Sequence, residues 1–461
     1  MPIPPNWRTD HLILLVGGNV LPNAVVASLL AESKTIISLI KTIDTDRTAR
    51  RLITWLGERK INNKITLSSD VKEADAGSIA MEVIARLEAV PAVPEGTVGL
   101  NYTGGTKAMA AQAHRAVSEW WRTNRIGQPL PVFTYLDARN LKLCRDPDDP
   151  ATGASSHNEP VHFDPLARME LTRDFLKLHE WTPRHPPSSV PILPLSAKAL
   201  AQAYSNGYRE AWDKWIVTQL ISATRKRTGN GWDDALCCSN APLGTICHHR
   251  RDCLESKKLK QVTVPLPTDE VQEVVNALKI ELNLGDNMAL PLICATEITE
   301  FNKKPKNLIR WLEGTWLESW TLQALQDITN CCDLHDVCMD IDVLTTNSST
   351  TNFQLDAIAI QGYRLYAFSC CTDHDRSVLK LKLFEAVMRA RQLGGDETRV
   401  ALVCASEEGD TKTIELEVAQ ELDISGNHEP GIPNTKRTRV FGRKDLYELP
   451  RHFTEWMRLG K

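Results

Sequence analysis

The first 150 residues alternate short apolar runs with amphipathic stretches. The runs lie at residues 11–16, 35–40, 64–67, 96–100 and 131–136. The first of them is a continuous apolar run, as expected of a strand buried on both faces of a parallel sheet. The stretches between the runs have helical periodicity, at residues 22–31, 47–58, 79–89 and 108–121. This order predicts an α/β domain at residues 1–150 with a Rossmann-like parallel sheet, whose ligands bind at the carboxyl ends of the strands.

The pattern changes after this domain. Residues 145–162 are polar and rich in Asp, Pro and Ser, which predicts a linker, and the apolar positions that follow are mostly spaced as in helices. We therefore expect a linker and a mostly helical middle region over residues 151–300. From residue 301 to residue 461 a helix, a three-stranded meander, a second helix and a further strand predict another α/β domain.

Composition places the chain among ordinary globular proteins. Hydrophobic residues make up 42% and charged residues 24%, and the net charge of −4 gives no general basic surface for nucleic acid. No apolar run approaches the roughly 20 residues of a membrane helix, and the first residues lack the features of a signal peptide. We expect a cytoplasmic protein without membrane contact, whose cysteines are free thiols or metal ligands rather than disulfides.

The most specific stretch reads Asn101-Tyr-Thr-Gly-Gly-Thr-Lys107 and joins the fourth apolar run to a helical pattern. The backbone N–H groups of such a glycine turn point at an anion, and the helix N-terminus adds the positive end of its dipole. Thr103, Thr106 and Lys107 add hydroxyls and a cation without a carboxylate, which suits a phosphodiester. A second turn, Gly17-Gly18-Asn19, is expected at the same sheet edge, although a tight turn without a ligand explains it equally well.

Two weaker patterns lie farther along the chain. A compact group of soft side chains could bind zinc, and it comprises Cys237, Cys238, Cys247, His248, His249 and Cys253. We favour half-buried thiols and solvated histidines there, because the spacing does not form CxxC pairs. The basic run at residues 303–310 could contact a nucleic-acid backbone, but a solvated loop is the simpler interpretation.

Residues 11–145 resemble a CARF domain, the CRISPR-associated Rossmann fold that senses cyclic oligoadenylates. The resemblance rests on residues 101–109 and on the turn at residues 17–19. It implies a homodimer in which two glycine loops face each other and bind one ring of cyclic tetra-adenylate or cyclic hexa-adenylate. The residues that it implies for ligand binding are Gly17, Gly18, Asn19, Asn101, Thr103, Gly104, Gly105, Thr106 and Lys107.

Residues 305–450 resemble the restriction-endonuclease-like PD-(D/E)XK domain of ancillary nucleases from type III CRISPR systems. In such domains a helix Glu, a strand Asp and a Glu-x-Lys motif hold Mg²⁺ or Mn²⁺, and the lysine stabilises charge at phosphorus. Glu318 and Asp356 match the first two positions and are the implied metal ligands. The third position is degenerate, since it reads Ser369-Cys370-Cys371.

This departure leaves three interpretations open. The acid and lysine could have migrated to the next helix, as Glu385 and either Lys380 or Lys382. Cleavage of nucleic acid without the usual metal site could instead use His335, His374, Lys380 or Arg389. The domain could instead have lost catalysis and retained binding, because serine and cysteine are poor partners for Mg²⁺.

The resemblance therefore implies a cyclic-oligoadenylate-activated antiviral effector that acts on DNA or RNA. An inactive, ligand-switched module that binds nucleic acid or protein is the first alternative. A ring nuclease that degrades its own cyclic activator is the second.

Overall fold

The computed structural model describes residues 3–61, 64–89, 96–148, 156–224, 226–228, 231–233, 259–267, 269–345, 353–421 and 437–459. The zinc hypothesis at Cys237–Cys253 lies outside the described residues.

The N-terminal part of the chain forms a seven-stranded sheet in the order β3-β2-β1-β4-β5-β6-β7. Its strands are β1 His11–Leu15, β2 Ile36–Thr42, β3 Lys64–Val71, β4 Val98–Asn101, β5 Val132–Asp137, β6 Lys142–Arg145 and β7 His157–Pro160. The first five strands pair in parallel, and β6 and β7 add antiparallel hairpins. The connecting helices are α1 Leu21–Leu30, α2 Asp46–Glu58, α3 Ala76–Ala89 and α4 Lys107–Asn124.

The strand order reverses between β1 and β4, which are neighbours in the sheet. Every residue of β1 is buried, because α1 and α2 cover one face of the sheet and α3 and α4 cover the other. This burial on both faces explains why the apolar run at residues 11–16 is continuous. In open α/β sheets the crevice at such a reversal is the usual place for a ligand.

The middle of the chain is mostly helical. It contains α5 Leu176–Leu178, β8 Trp181–Pro183, α6 Pro194–Ser205, α7 Arg209–Trp215, α8 Ser222–Thr224, β9 Lys226–Thr228, β10 Gly231–Asp233, β11 Thr263–Pro265, α9 Gln272–Glu281 and β12 Ala289–Pro291. Helices α6, α7 and α9 share one apolar core with a face of the C-terminal sheet described next. The middle helices are therefore packed as part of the C-terminal half of the molecule.

A six-stranded sheet forms the C-terminal part, in the order β17-β16-β15-β14-β13-β8. The strands are β13 Asp336–Thr345, β14 Phe353–Gln361, β15 Arg364–Cys371, β16 Arg399–Cys404 and β17 Thr438–Phe441. The helices are α10 Pro305–Arg310, α11 Trp316–Asp327, α12 Thr329–Cys332, α13 Arg376–Gly394, α14 Glu408–Glu421 and α15 Leu449–Arg458. The predicted meander is β13-β14-β15, and its outer edge pairs with β8 from the middle of the chain.

One apolar core joins the two sheets. It contains Leu12 and Leu14 of β1 together with Ile341 of β13 and Leu383 of α13. A continuous core of this kind transmits displacement, because close-packed interiors are stiff. The predicted α/β architecture, with two α/β parts and a mostly helical middle, is confirmed.

Candidate functional site

The glycine loop after β4 is held in shape by its own residues. Thr106 caps α4, with its Oγ1 accepting from the backbone N–H of Met109 at 3.3 Å, as Ser and Thr commonly do at a helix start. Gly105 has a φ of +74°, which L residues with side chains rarely adopt. The loop therefore needs glycine at this position for its backbone conformation.

The two glycine turns pack against each other. A Cβ on Gly17 would lie 2.9 Å from the backbone nitrogen of Gly105. A Cβ on Gly104 would overlap the carbonyl oxygen of Leu15 at the end of β1. The turns after β1 and β4 thus form one surface at the sheet edge, with Lys107 exposed beside it.

Asn101 and Thr103 connect the loop to the neighbouring strand β5. Asn101 is fully buried, and its Oδ1 accepts from the Thr103 N–H at 3.1 Å while its Nδ2 donates to Thr134 at 3.1 Å. The Thr103 Oγ1 accepts from the backbone N–H of Leu136 at 2.6 Å, which leaves its hydroxyl proton free for another acceptor. Sequence reasoning treated these side chains as ligand contacts, whereas here they also fix the backbone.

The turn after β1 contacts the C-terminal part of the chain directly. Asn19 starts α1, with its Oδ1 accepting from the Leu21 N–H at 3.0 Å. Its Nδ2 lies where a Cβ on Gly395 would be, so the two residues are in close contact. Gly395 caps α13 and has a φ of +77°. The candidate ligand edge and the last turn of α13 therefore meet.

At the C-terminal sheet, Glu318 and Asp356 come together as the sequence resemblance implied. Glu318 lies in the first turn of α11, and Asp356 lies on β14. The Asp356 Oδ2 accepts from the Cys370 backbone N–H at 2.7 Å and from the Ser369 hydroxyl at 3.2 Å. Burial and the nearby charges of Asp356 and Asp340 raise the pKa of Glu318 well above its usual range.

Asp340 is an acidic neighbour that sequence reasoning missed. It lies on β13, and burial raises its pKa. Burial also raises the pKa of Asp356, with Asp340 adding to that shift. Glu318 and Asp356 offer the carboxylate oxygens that a divalent cation prefers, and Asp340 adds negative charge beside them. This donor chemistry fits Mg²⁺ or Mn²⁺.

The degenerate motif lies beside these acids on β15. Ser369 donates to Asp356, and the Cys370 thiol lies 3.3 Å from the Thr321 hydroxyl. Burial and the charges of Asp356 and Glu318 raise the pKa of Cys370 well above its usual range. Cys370 is therefore a neutral packing group rather than a thiolate ligand.

Helix α13 presents its two lysines differently. Lys380 is ion-paired with Glu417 at 3.3 Å and with Glu421 at 2.6 Å, both on α14. Residues two positions apart point about 200° apart around a helix, and the charge of Lys382 instead opposes the upward pKa shifts of Glu318 and Asp356. The structure thus places Lys382, rather than Lys380, near the acids; Glu385 is exposed on the same helix.

The side chains considered for cleavage without the usual metal site contact other residues of the protein. The His335 Nε2 lies 2.9 Å from the Met169 carbonyl oxygen, and the His374 Nδ1 lies 2.8 Å from an Arg209 nitrogen. The Arg389 guanidinium lies over the Phe353 ring, 5.2 Å from its centroid. In the basic run, Lys306 is buried within α10 while Arg310 is exposed.

Comparisons with known proteins concern the C-terminal domain and the overall fold. Residues 305–459 match the family model of the Card1-like endonuclease domain. No curated protein sequence matches the chain. None of the helices in the described ranges is long and apolar enough to cross a membrane.

Two solved structures share the fold over nearly the whole chain. Protein VC1899 from Vibrio cholerae is 15% identical with a TM-score of 0.63, covering 97% of this chain and 98% of its own. Can2 from Sulfobacillus thermosulfidooxidans, solved in complex with cyclic tetra-adenylate, is 14% identical with a TM-score of 0.60, covering 97% of this chain and 99% of its own. The chain therefore shares its overall fold with these two proteins, and its C-terminal part is similar to the Card1-like endonuclease domain.

Proposed function

We propose that this protein is a cyclic-oligoadenylate-activated effector of antiviral defence, in which ligand binding at the glycine loops switches a nuclease domain acting on nucleic acid. The contact between Asn19 and Gly395 carries the proposal. It connects the ligand edge to α13, the helix that presents Lys382 to the acids. Residues 1–150 are the proposed sensor and residues 301–461 the proposed effector, with residues 151–300 between them.

The ligand class follows from the loop chemistry. Backbone N–H groups at Gly104 and Gly105, the α4 N-terminus and Lys107 favour a phosphodiester. The complex of Can2 with cyclic tetra-adenylate supports a cyclic oligoadenylate as the ligand of the same fold. A homodimer would place two such loops on one ring of four or six nucleotides.

The acids and Lys382 support cleavage rather than binding alone. Glu318 and Asp356 would hold Mg²⁺ or Mn²⁺, and the ion would supply a polarised phosphate and an activated water. Lys382 would supply the positive charge that the resembled nucleases carry at the position of Cys371. This arrangement corresponds to a lysine that has migrated from the strand to the following helix.

One observation favours the second candidate, an inactive module that binds nucleic acid or protein. Ser369 and Cys371 offer neither a carboxylate nor a cation at the usual third position. If Lys382 does not compensate, the domain would retain the fold and lose the reaction.

The test is a cleavage assay on the purified full chain. We would supply Mn²⁺, cyclic tetra-adenylate or cyclic hexa-adenylate, and labelled single-stranded DNA, plasmid, RNA and tRNA. Cleavage that depends on the cyclic ligand supports the proposal. If the protein binds the cyclic ligand tightly but leaves every substrate intact, the nuclease proposal is wrong and the inactive binding module takes its place. If only the cyclic ligand is degraded, the protein is a ring nuclease.

Substitutions of the two lysines on α13 form a matched pair. We expect Lys382→Ala to slow cleavage by about 100-fold, because it removes the positive charge near the acids. Lys380→Ala should change the rate less than about twofold, since an exposed ion pair contributes little. Single-turnover rates at saturating Mn²⁺ measure both, and equal losses in the two variants would contradict the role given to Lys382.

Substitutions at two glycines test the contact between the parts. Gly395→Ala introduces a Cβ that overlaps Asn19, and it should lower the stimulation of cleavage by cyclic tetra-adenylate about 10-fold, within the usual range of coupling free energies. Gly127→Ala is the control, because Gly127 has a φ of +80° but nothing within 4 Å of the added Cβ. Both substitutions place a side chain at a positive φ, which costs on the order of 1–3 kcal/mol.

Calorimetry with the cyclic ligand separates coupling from binding in this pair. Gly395→Ala should bind the ligand with wild-type affinity while responding to it weakly. Full stimulation of Gly395→Ala would show that the signal takes another route.

A further inference from the structure

His185 faces two aspartates across the outer edge of the C-terminal sheet. Its Nε2 lies 3.8 Å from Asp340 Oδ2 and 3.5 Å from Asp342 Oδ2. One ligand atom from each of the three side chains lies within 4.8 Å of the other two. All three side chains keep some exposure, so an ion from solvent can reach them.

The segment that carries His185 is fixed to β13 on both sides of the histidine. The Arg184 N–H donates to the Asp342 carbonyl at 2.9 Å. Ser188 and Met339 exchange two backbone hydrogen bonds, of 3.0 Å and 2.8 Å. Two prolines, at positions 186 and 187, stiffen the stretch between these anchors. A Pro-rich stretch that sequence reasoning treated as a connector therefore presents one imidazole rigidly.

The other ring nitrogen of His185 has a carbonyl partner. The Nδ1 lies 3.4 Å from the Pro186 carbonyl oxygen, to which an N–H at this position can donate. Metal-bound histidines have this arrangement, with the second ring N–H donating to a carbonyl or carboxylate. A cation between Nε2 and the two carboxylates would then have one nitrogen and two oxygen donors.

We propose that His185, Asp340 and Asp342 bind a divalent transition-metal ion, for which Mn²⁺ is the probe. One imidazole and two carboxylates form a mixed nitrogen and oxygen donor set, which suits Mn²⁺ and zinc better than Mg²⁺ or Ca²⁺. The site is separate from Glu318 and Asp356, and it uses neither of them.

The site adjoins the nuclease acids through Asp340. The charge of Asp340 adds to the upward pKa shifts of both Glu318 and Asp356. An ion bound by Asp340 would offset the repulsion between Asp340 and these two acids. It would also place positive charge on the β13 side of Asp356, whereas the degenerate motif lies on the β15 side. The inference concerns metal binding alone, so it stands whether or not the domain cleaves nucleic acid.

The experiment uses the untagged full chain, stripped of metal and free of nucleic acid and cyclic ligand. Mn²⁺ is titrated by calorimetry, and bound Mn²⁺ is examined by pulsed electron paramagnetic resonance for coupling to ¹⁴N, which reports a histidine ligand. We expect ¹⁴N coupling in the wild type and in Asp356→Asn, which leaves this site intact.

His185→Ala should abolish the ¹⁴N coupling and weaken the affinity of this site for Mn²⁺ at least about 10-fold. Asp342→Asn should also weaken the Mn²⁺ affinity of this site. His374→Ala, at an exposed histidine, should change neither the ¹⁴N coupling nor the affinity. Thermal unfolding of each variant verifies that it is folded. Bound Mn²⁺ without ¹⁴N coupling in the wild type, or coupling that persists in His185→Ala, overturns the proposal and leaves the proposed function unaffected. The contacts of His185 with the two aspartates would then be local polar contacts without a metal ion.

Discussion

Asp356→Asn should reduce metal-dependent cleavage by at least about 100-fold while leaving the fold and ligand binding intact. The amide oxygen of asparagine can still accept from the Cys370 N–H, so the contact between β14 and β15 survives. What is lost is the charge of one of the two implied metal ligands. Mutation of a group that only supports a metal ligand typically lowers metal affinity or activity by about 10-fold to 100-fold. Loss of a metal ligand itself should therefore lower the cleavage rate by at least about 100-fold.

The measurement is a single-turnover cleavage rate with cyclic tetra-adenylate and Mn²⁺. Asp286→Asn is the control, since Asp286 is exposed in the middle of the chain. The control should cleave like the wild type, and both variants should bind the cyclic ligand equally. An Asp356→Asn protein that cleaves at the wild-type rate would show that the reaction takes place elsewhere.

The sensor half could be predicted from sequence because its signals are local. The runs that became β1 and β4 are mostly apolar since both faces of the sheet are covered, and Thr106 lies where a cap is needed. The resemblance also pointed to Glu318 and Asp356, and in the structure the charge of Asp356 acts on Glu318. Each of these inferences needed only a short window of sequence or one recognised motif.

The remaining parts of the candidate site depend on contacts between distant segments. Strand β8 is three residues long and ends in Pro183, so nothing in its sequence indicates that it completes the C-terminal sheet. Asp340 resembles any exposed residue of a strand in the sequence, and only the placement of β8 and β14 beside β13 brings His185 and the nuclease acids near it. Similarly, Lys380 and Lys382 are equivalent in sequence, and only the orientation of α13 on the sheet separates them.

Gly104→Ala should weaken binding of cyclic tetra-adenylate by roughly 10-fold or more and lower the melting temperature of the protein. A Cβ at this position would overlap the Leu15 carbonyl oxygen and would lie 2.9 Å from the Asn23 Oδ1. Both obstacles are immobile, because Asn23 is fully buried and its Nδ2 already donates to Leu15 at 2.9 Å. The loop must therefore move, at a cost of about 1–3 kcal/mol typical of overpacking, and its N–H groups no longer converge on the phosphates.

Gly57→Ala is the control for this substitution. Gly57 is exposed on α2, away from both glycine turns, and a Cβ there would have nothing within 4 Å. Calorimetry with cyclic tetra-adenylate should therefore give the wild-type affinity for Gly57→Ala and a reduced affinity for Gly104→Ala. Thermal unfolding of the free protein should show a lower melting temperature for Gly104→Ala only, because alanine is the better helix former at position 57. If Gly104→Ala bound the ring as tightly as the wild type, the ligand would not lie on this loop.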